Sequence, residues 1–293
     1  MVNCYFNREE GLRRARMKCF ALSASSLRLD MIRLRKIHFM RPFLNLLLLA
    51  SVTFCSGSLA GAEAAPGQQV ELTLKLGEDQ SIPYLLYLPK DYEAKPRKWP
   101  VMLFLHGRGE SDGPLSLVKK WGPPRAVGRG DSFPYILVSP QCPRVESWGQ
   151  PKQQTLLLGL LDHVVKSYKT DPDRVYLTGL SMGGYGSWRL AADHPEKFAA
   201  VVPVCGGGKP DDAMKLRSLP IWVFHGTEDR AVPLQRSVEM VDAIKAAGGT
   251  KIRLTTLEHV GHNSWESAFA TPELYEWLDR QSSSGKKGEV GSK

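Results

Sequence analysis

The chain has 293 residues, 42% of them hydrophobic and 24% charged, with a formal net charge of +9. That charge is concentrated at one end: residues 1–64 hold ten Lys/Arg against four acids, so the remaining 229 residues carry only +3. A nearly neutral body excludes a polyanion-binding face spread along the chain, and no nucleic-acid partner is read from it.

Residues 1–64 read as a leader. RLRKIHFMRP is basic, FLNLLLLASVTFC (43–55) is apolar over the length of a signal-peptide core, and SGSLAGAEAA offers small-residue cleavage sites after Ala62 or Ala64. The apolar run is shorter than the roughly 20 residues a spanning helix needs, and Asn45 interrupts it. Contact with a membrane is therefore expected only through the signal peptide during export, with the product periplasmic or extracellular. Residues 1–39 are too long for an ordinary basic segment, and Met31 or Met40 would each start a more conventional signal.

Residues 65–281 form one domain, large enough to bury a sizeable core. QQVELTLKL (68–76) alternates polar and apolar at period two, and IPYLLYLP (82–89) follows the turn GEDQ, which suggests an antiparallel pair at a sheet edge. Continuous apolar runs come next: PVMLFLHG, YILVSPQ, RVYLTGL, AAVVPVCG and PIWVFHG. Strands covered on both faces read this way. Between them lie the helical stretches QTLLLGLLDHVVKSY, YGSWRLAADH and LQRSVEMVDAIKAAGG. A final strand, KIRLTTLE, precedes a last helix expected to begin near Asn263, with Glu266 three residues on as a capping box. The alternation predicts an α/β fold, a mainly parallel doubly wound sheet of about eight strands with helices on both faces. Residues 282–293 are small and charged, and read as a disordered tail.

Two segments match the G-x-S-x-G pattern of serine hydrolases, GESDG (109–113) and GLSMG (179–183). Only the second lies between a strand and a helix, where a nucleophile elbow has to be, with glycines that permit close backbone approach. Pro114 directly follows the first, so Ser111 belongs to a loop and Ser181 is the candidate nucleophile. In this chain order an acid and then a histidine should follow. Asp229, in TEDRAVP beyond a strand end, is favoured over its neighbour Glu228, because a shorter side chain holds an imidazole more rigidly. His262, after Gly261 in EHVGHNSW, is favoured as the base over His259. His106 and His225, each before a glycine at a strand end, read as structural.

HGRGE, GLSMGGYGSW, HGTEDRAVP and GHNSW together resemble an α/β-hydrolase, and within that superfamily the exported esterases grouped with polyhydroxybutyrate depolymerases, feruloyl esterases and dienelactone hydrolases. The resemblance covers about residues 70–280. It implies a catalytic domain over 65–281 without a large cap, and a Ser181, His262, Asp229 triad that cleaves carboxylic esters through an acyl-enzyme. It also implies an oxyanion hole made by the backbone N–H groups of Arg108 and Met182, leaving Ser111 without a catalytic role. The Arg108 guanidinium is a further candidate contact to substrate. No metal or organic cofactor is implied, and no P-loop, zinc spacing or complete G-x-G-x-x-G is present.

The little room for a cap suits exposed esters of short acyl groups, sugars, phenolic acids or polymers. Trp148 and Trp265 are the candidate substrate-binding aromatics, with packing as the competing reading for both. The alternatives are a serine peptidase of the same fold and a non-catalytic carbohydrate- or partner-binding protein that keeps it. The strand order implied by the resemblance puts Cys142 and Cys205 about three strand spacings apart, roughly 14 Å. A disulfide needs Cα atoms within about 7 Å, so two thiols are expected.

Overall fold

The computed structural model describes residues 64–284. The leader and cleavage sites, and the tail from residue 285, lie outside the described residues. Of the expected tail, Ser282–Ser284 are described, and Ser283 is held in place: its N–H donates to the carbonyl of Asp173 at 2.8 Å and its Oγ to Asp173 Oδ1 at 3.0 Å.

Eight strands form one sheet: β1 Gln69–Lys75, β2 Ser81–Tyr87, β3 Trp99–Leu105, β4 Ile136–Pro140, β5 Thr170–Leu180, β6 Ala200–Val204, β7 Ile221–Gly226 and β8 Ile252–Leu257. They lie in the order β1-β2-β4-β3-β5-β6-β7-β8. β2 pairs antiparallel with both β1 and β4, and every later pairing is parallel. The expected edge hairpin and parallel core are both present, and the fold is that of the α/β-hydrolases.

Side-chain alternation explains why the central strands read as unbroken apolar runs. In β3, Val101, Leu103 and Leu105 enter one core while Met102 and Phe104 enter the other. β7 divides likewise, Ile221 and Val223 against Trp222 and Phe224. Both faces are covered, so neither can be polar. β1, at the edge, keeps only Val70, Leu72 and Leu74 against the core and exposes Glu71, Thr73 and Lys75. The first core is closed by α2 (Pro151–Ser167), α3 (Met182–Asp193), α4 (Ala213–Leu216) and α5 (Gln235–Ala246). The second is closed by α1 (Gly122–Gly128), α6 (Trp265–Phe269) and α7 (Pro272–Asp279).

Two expectations need correction. The last helix starts at Trp265, and its N-cap Ser264 makes no side-chain capping bond, so the Asn263/Glu266 box does not form. The segment is also two helices, because Pro272 cannot donate into α6 and instead opens α7. Cys142 and Cys205 are free and buried, as expected.

The order β4-β3-β5 places a topological switch at β3 and β5, where the chain leaves β3 for β4 on one side and returns to β5 on the other. Ligand crevices of open α/β sheets form at the carboxyl ends of strands at such a switch. Ser181 follows β5 directly, and His106–Arg108 follow β3.

Candidate active site

Ser181 is the N-cap of α3 and has φ 53°, ψ −115°, a left-handed conformation that costs energy for any residue with a Cβ. The turn is tight because β5 hands over to α3 with no intervening loop. A Cβ on Gly183 would lie 1.9 Å from the carbonyl oxygen of Leu105, and one on Gly179 would lie 2.4 Å from that of Gly183. Only hydrogen side chains fit, and the packing that excludes larger ones holds Ser181 at the top of the sheet.

Three side chains from three separate segments meet there. Ser181 Oγ lies 2.9 Å from His262 Nε2, and His262 Nδ1 lies 2.8 Å from Asp229 Oδ2. A carboxylate can only accept, so Nδ1 carries the proton and Nε2 is free to accept from the serine hydroxyl. The Asp229 carboxylate is fully buried and the His262 ring is 29% exposed. Asp229 is fixed by its own turn: Oδ1 accepts the N–H groups of Ala231 and Val232, each at 2.9 Å. This local Asx turn places the acid two and three residues before the Ala231 and Val232 amides it accepts, in D-R-A-V-P.

A second buried histidine, His225, lies behind the acid. Its Nε2 is 2.8 Å from the Val232 carbonyl and 3.3 Å from Asp229 Oδ2, while Nδ1 is 2.7 Å from Ser237 Oγ. Burial lowers its pKa, so the ring is neutral at neutral pH. A carbonyl can only accept, so Nε2 carries the proton, while Ser237 Oγ, with a single proton, lies between Nδ1 and the Gly206 carbonyl at 3.1 Å. The sequence placed His225 only at a strand end; its contact with Asp229 was not foreseen, although H-G-x-x-D puts both groups within one turn.

Met182 is the first residue of α3, and Arg108 the first of a 3-10 turn, Arg108–Glu110. The N–H of a helical turn's first residue has no intrahelical acceptor, which makes both amides available to an anion. The Arg108 loop is tied down from several sides. Gly107 N–H donates to Glu110 Oε2 at 3.1 Å, His106 Nε2 accepts the Cys142 N–H at 3.0 Å, and the His106 carbonyl accepts from Trp148 Nε1 at 3.0 Å. Burial depresses His106 to a pKa of about 4, so that its Nε2 stays an acceptor.

One sequence expectation is overturned by burial, and a second candidate, still exposed, has contacts of its own. The Arg108 guanidinium is engaged with its own protein, donating to the carbonyls of Arg144 (2.7 Å) and Glu146 (2.5 Å), and so clamps the loop after β4. Trp148 is fully buried and forms no substrate wall. Its ring lies edge-on to His106, and it fits against α3 because position 186 is glycine, where a Cβ would come within 2.3 Å of the Trp148 Cβ. Trp265 is half-buried, edge-on to His262 at 5.3 Å between centroids and 5.7 Å from Trp121, so it does border the site.

Ser111 is buried and is not among the residues lining the cleft at Ser181, which are Ser147, Gly149, Met182 and Tyr185. Tyr185 was not singled out by sequence, although its place one helical turn after Ser181 puts it on the same side of α3. Among the described residues, Cys205, Asp229 and His262 are the group with metal-ligand atoms close together, within 4.8 Å. Asp229 and His262 are already bonded to each other, and burial pushes the Cys205 thiol up to about 12, which keeps it protonated. The donor set does not suit a metal.

The comparisons with known proteins fit this geometry. The family model Esterase ("Putative esterase") matches residues 140–265, which span the elbow, the acid and the histidine. A bifunctional acetylxylan esterase/xylanase from Neocallimastix patriciarum is 29% identical over 141 residues, 47% of this chain and 20% of its own length. Feruloyl esterase B from Neurospora crassa is 26% identical over 126 residues, 39% of this chain and 40% of its own. This chain therefore spans less than half of either relative. The crystal structure of a thermostable esterase superposes with a TM-score of 0.64 at 33% identity, covering 74% of this chain and 64% of that one.

Proposed function

Taking as premise an α/β-hydrolase whose relatives are esterases, we propose that this protein is an exported serine hydrolase that cleaves carboxylic esters through an acyl-enzyme. The observation that carries the reading is the hydrogen-bonded line from Ser181 through His262 to the buried Asp229.

In the proposed reaction Ser181 Oγ attacks the ester carbonyl carbon while His262 Nε2 takes the hydroxyl proton. Asp229 keeps the imidazole in the correct tautomer and stabilises the imidazolium. The carbonyl oxygen gathers negative charge between the N–H groups of Met182 and Arg108, each worth about 3 kcal/mol in comparable sites. His262 returns its proton to the departing alkoxide. Water, activated by the same histidine, then releases the acid and restores Ser181.

The open site and the relatives' names support the substrate class. The β6–β7 connection, residues 205–220, holds only a 3-10 turn and the four-residue α4, which leaves the cleft uncovered. Short-acyl, sugar-linked and phenolic esters fit such a cleft better than long acyl chains that need a lid. Trp265 would border the bound ester. Residues 1–64 act as the export signal and 65–281 as the catalytic domain; no helix among the described residues is long and apolar enough to cross a membrane.

The test is steady-state kinetics on p-nitrophenyl acetate, methyl ferulate and acetylated xylan, against peptide p-nitroanilides, with a Ser181→Ala control. The expected result is ester hydrolysis that falls about 10⁴-fold or more in the variant. Cleavage of the anilides with esters untouched would mean a peptidase. Ester hydrolysis that survives Ser181→Ala would remove the assignment of the nucleophile.

A further inference from the structure

The proposed reaction needs Asp229 at a fixed distance from Ser181, yet the two come from different strands. β5 delivers the serine, β7 precedes the acid, and β6 lies between them. Neighbouring strands are about 4.8 Å apart, so the loop after β6 sits where the span between the two residues is set. Its serine side is packed on the elbow. The Ser181 N–H donates to the Val204 carbonyl at 3.0 Å, and a Cβ on Gly206 would lie 2.7 Å from the Tyr185 nitrogen, in the first turn of α3. Between these contacts Cys205 takes a φ of 41°, a strained value for a residue with a side chain, which only the surrounding packing can hold.

The acid side of the same loop is reached through two side chains. The Gly206 carbonyl lies 3.1 Å from Ser237 Oγ on α5, and that oxygen lies 2.7 Å from His225 Nδ1. On the far side of the ring, Nε2 donates to the Val232 carbonyl at 2.8 Å and stands 3.3 Å from Asp229 Oδ2, the oxygen that holds His262. Val232 also supplies one of the two N–H groups bonded to Asp229 Oδ1, so His225 grips the acid's turn as well as the acid. A ring of contacts results: from Ser181 through His262 to Asp229, and back through His225, Ser237 and Gly206 to the turn of α3 that follows Ser181. His225 and Ser237 are both fully buried. Two polar side chains in the interior cost desolvation that an apolar pair would not, so packing alone does not account for them. What they add is direction, since a hydrogen bond fixes an angle as well as a distance.

We propose that His225 and Ser237 are positioning residues for the ester hydrolysis, a relay that holds the Asp229 turn at a set distance from α3 and so keeps His262 within reach of Ser181. The proposal rests on the assignment of Ser181, His262 and Asp229, and the experiment separates the two. Both residues lie behind the acid and act through it, so the relay governs kcat and leaves KM. Steady-state kinetics on p-nitrophenyl acetate test this with His225→Phe, which keeps a ring and removes both nitrogens, with Ser237→Ala, and with the double variant. His225→Phe should lower kcat about 30-fold with KM within about twofold, since a small misplacement of catalytic groups costs on that order. Ser237→Ala should lower kcat about fivefold, and the double variant should be no slower than His225→Phe, because the two side chains act as one unit. His225→Gln, whose amide N–H can serve the Val232 carbonyl, should recover most of the loss.

Thermal unfolding of the same variants separates positioning from packing. A lowered unfolding temperature with kcat unchanged would make the pair a piece of the core and overturn the relay, as would losses in kcat that multiply in the double variant. If His225→Phe does not fold, Ser237→Ala carries the test by its own kcat and KM. Ester turnover that survives Ser181→Ala would remove the nucleophile and the relay with it, whereas turnover that needs Ser181 but ignores both variants would remove the relay alone.

Discussion

Two acid–histidine pairs stand side by side in this molecule, built from neighbouring residues. Glu228 Oε1 lies 3.1 Å from His259 Nδ1, and Asp229 Oδ2 lies 2.8 Å from His262 Nδ1. By distance they are nearly equivalent. By environment they are opposites: His259 and Glu228 are 88% and 57% exposed, whereas Asp229 is fully buried and His262 mostly so. In water an ion pair gains little and is screened, while the buried carboxylate, held by two backbone N–H groups, keeps its partner in one orientation. Only the second pair also reaches a serine. The contrast teaches that the pair to which the proposed function assigns the chemistry is the one whose far end is fixed, by the Asp229 turn and by His225 behind it.

The sharpest way to break this comparison is to neutralise each acid. Asp229→Asn should leave the geometry but favour the wrong imidazole tautomer, with a loss in kcat on p-nitrophenyl acetate of about 10⁴-fold. Glu228→Gln should change it by less than about twofold. Comparable losses in the two variants would mean that the exposed pair shares the work.

A smaller effect reads the buried histidines through stability. His106 has a folded pKa of about 4, below its ordinary value of 6.5, so between these pH values the unfolded chain binds the proton that the native protein refuses. Stability is therefore fully present above pH 6.5 and is lost as pH falls towards 4, by an amount on the order of 3 kcal/mol. His225 is shifted in the same direction by burial, while burial raises the Glu110 carboxyl and opposes them. Urea unfolding measured from pH 7 to pH 4 checks this. His106→Gln should flatten the slope at a cost in stability at pH 7.

The sheet was legible because each central strand serves two cores and so announces itself as an apolar run. The catalytic candidates were legible because the elbow needs glycines at fixed places and because chain order ranks the acid and the histidine. What escaped depended on packing between segments distant in sequence. The helix α1, for which no expectation was formed, carries Pro123 and Pro124 at its start, where their missing N–H groups cost nothing. Trp148 lies in a loop, and nothing local says that Gly186, 38 residues later, leaves a slot for it on α3. Arg108 likewise meets carbonyls 36 and 38 residues away.

The G-x-S-x-G pattern occurs twice and only one serine sits in a strained turn with a base beside it, so the most direct test is to ask the native protein which serine is activated. A fluorophosphonate probe reacts with an activated hydroxyl, and peptide mass spectrometry locates the adduct. A single adduct at Ser181 that disappears in Ser181→Ala is the expected result. An adduct at Ser111, or no adduct on the folded protein, would contradict the assignment of Ser181, His262 and Asp229 as the catalytic centre.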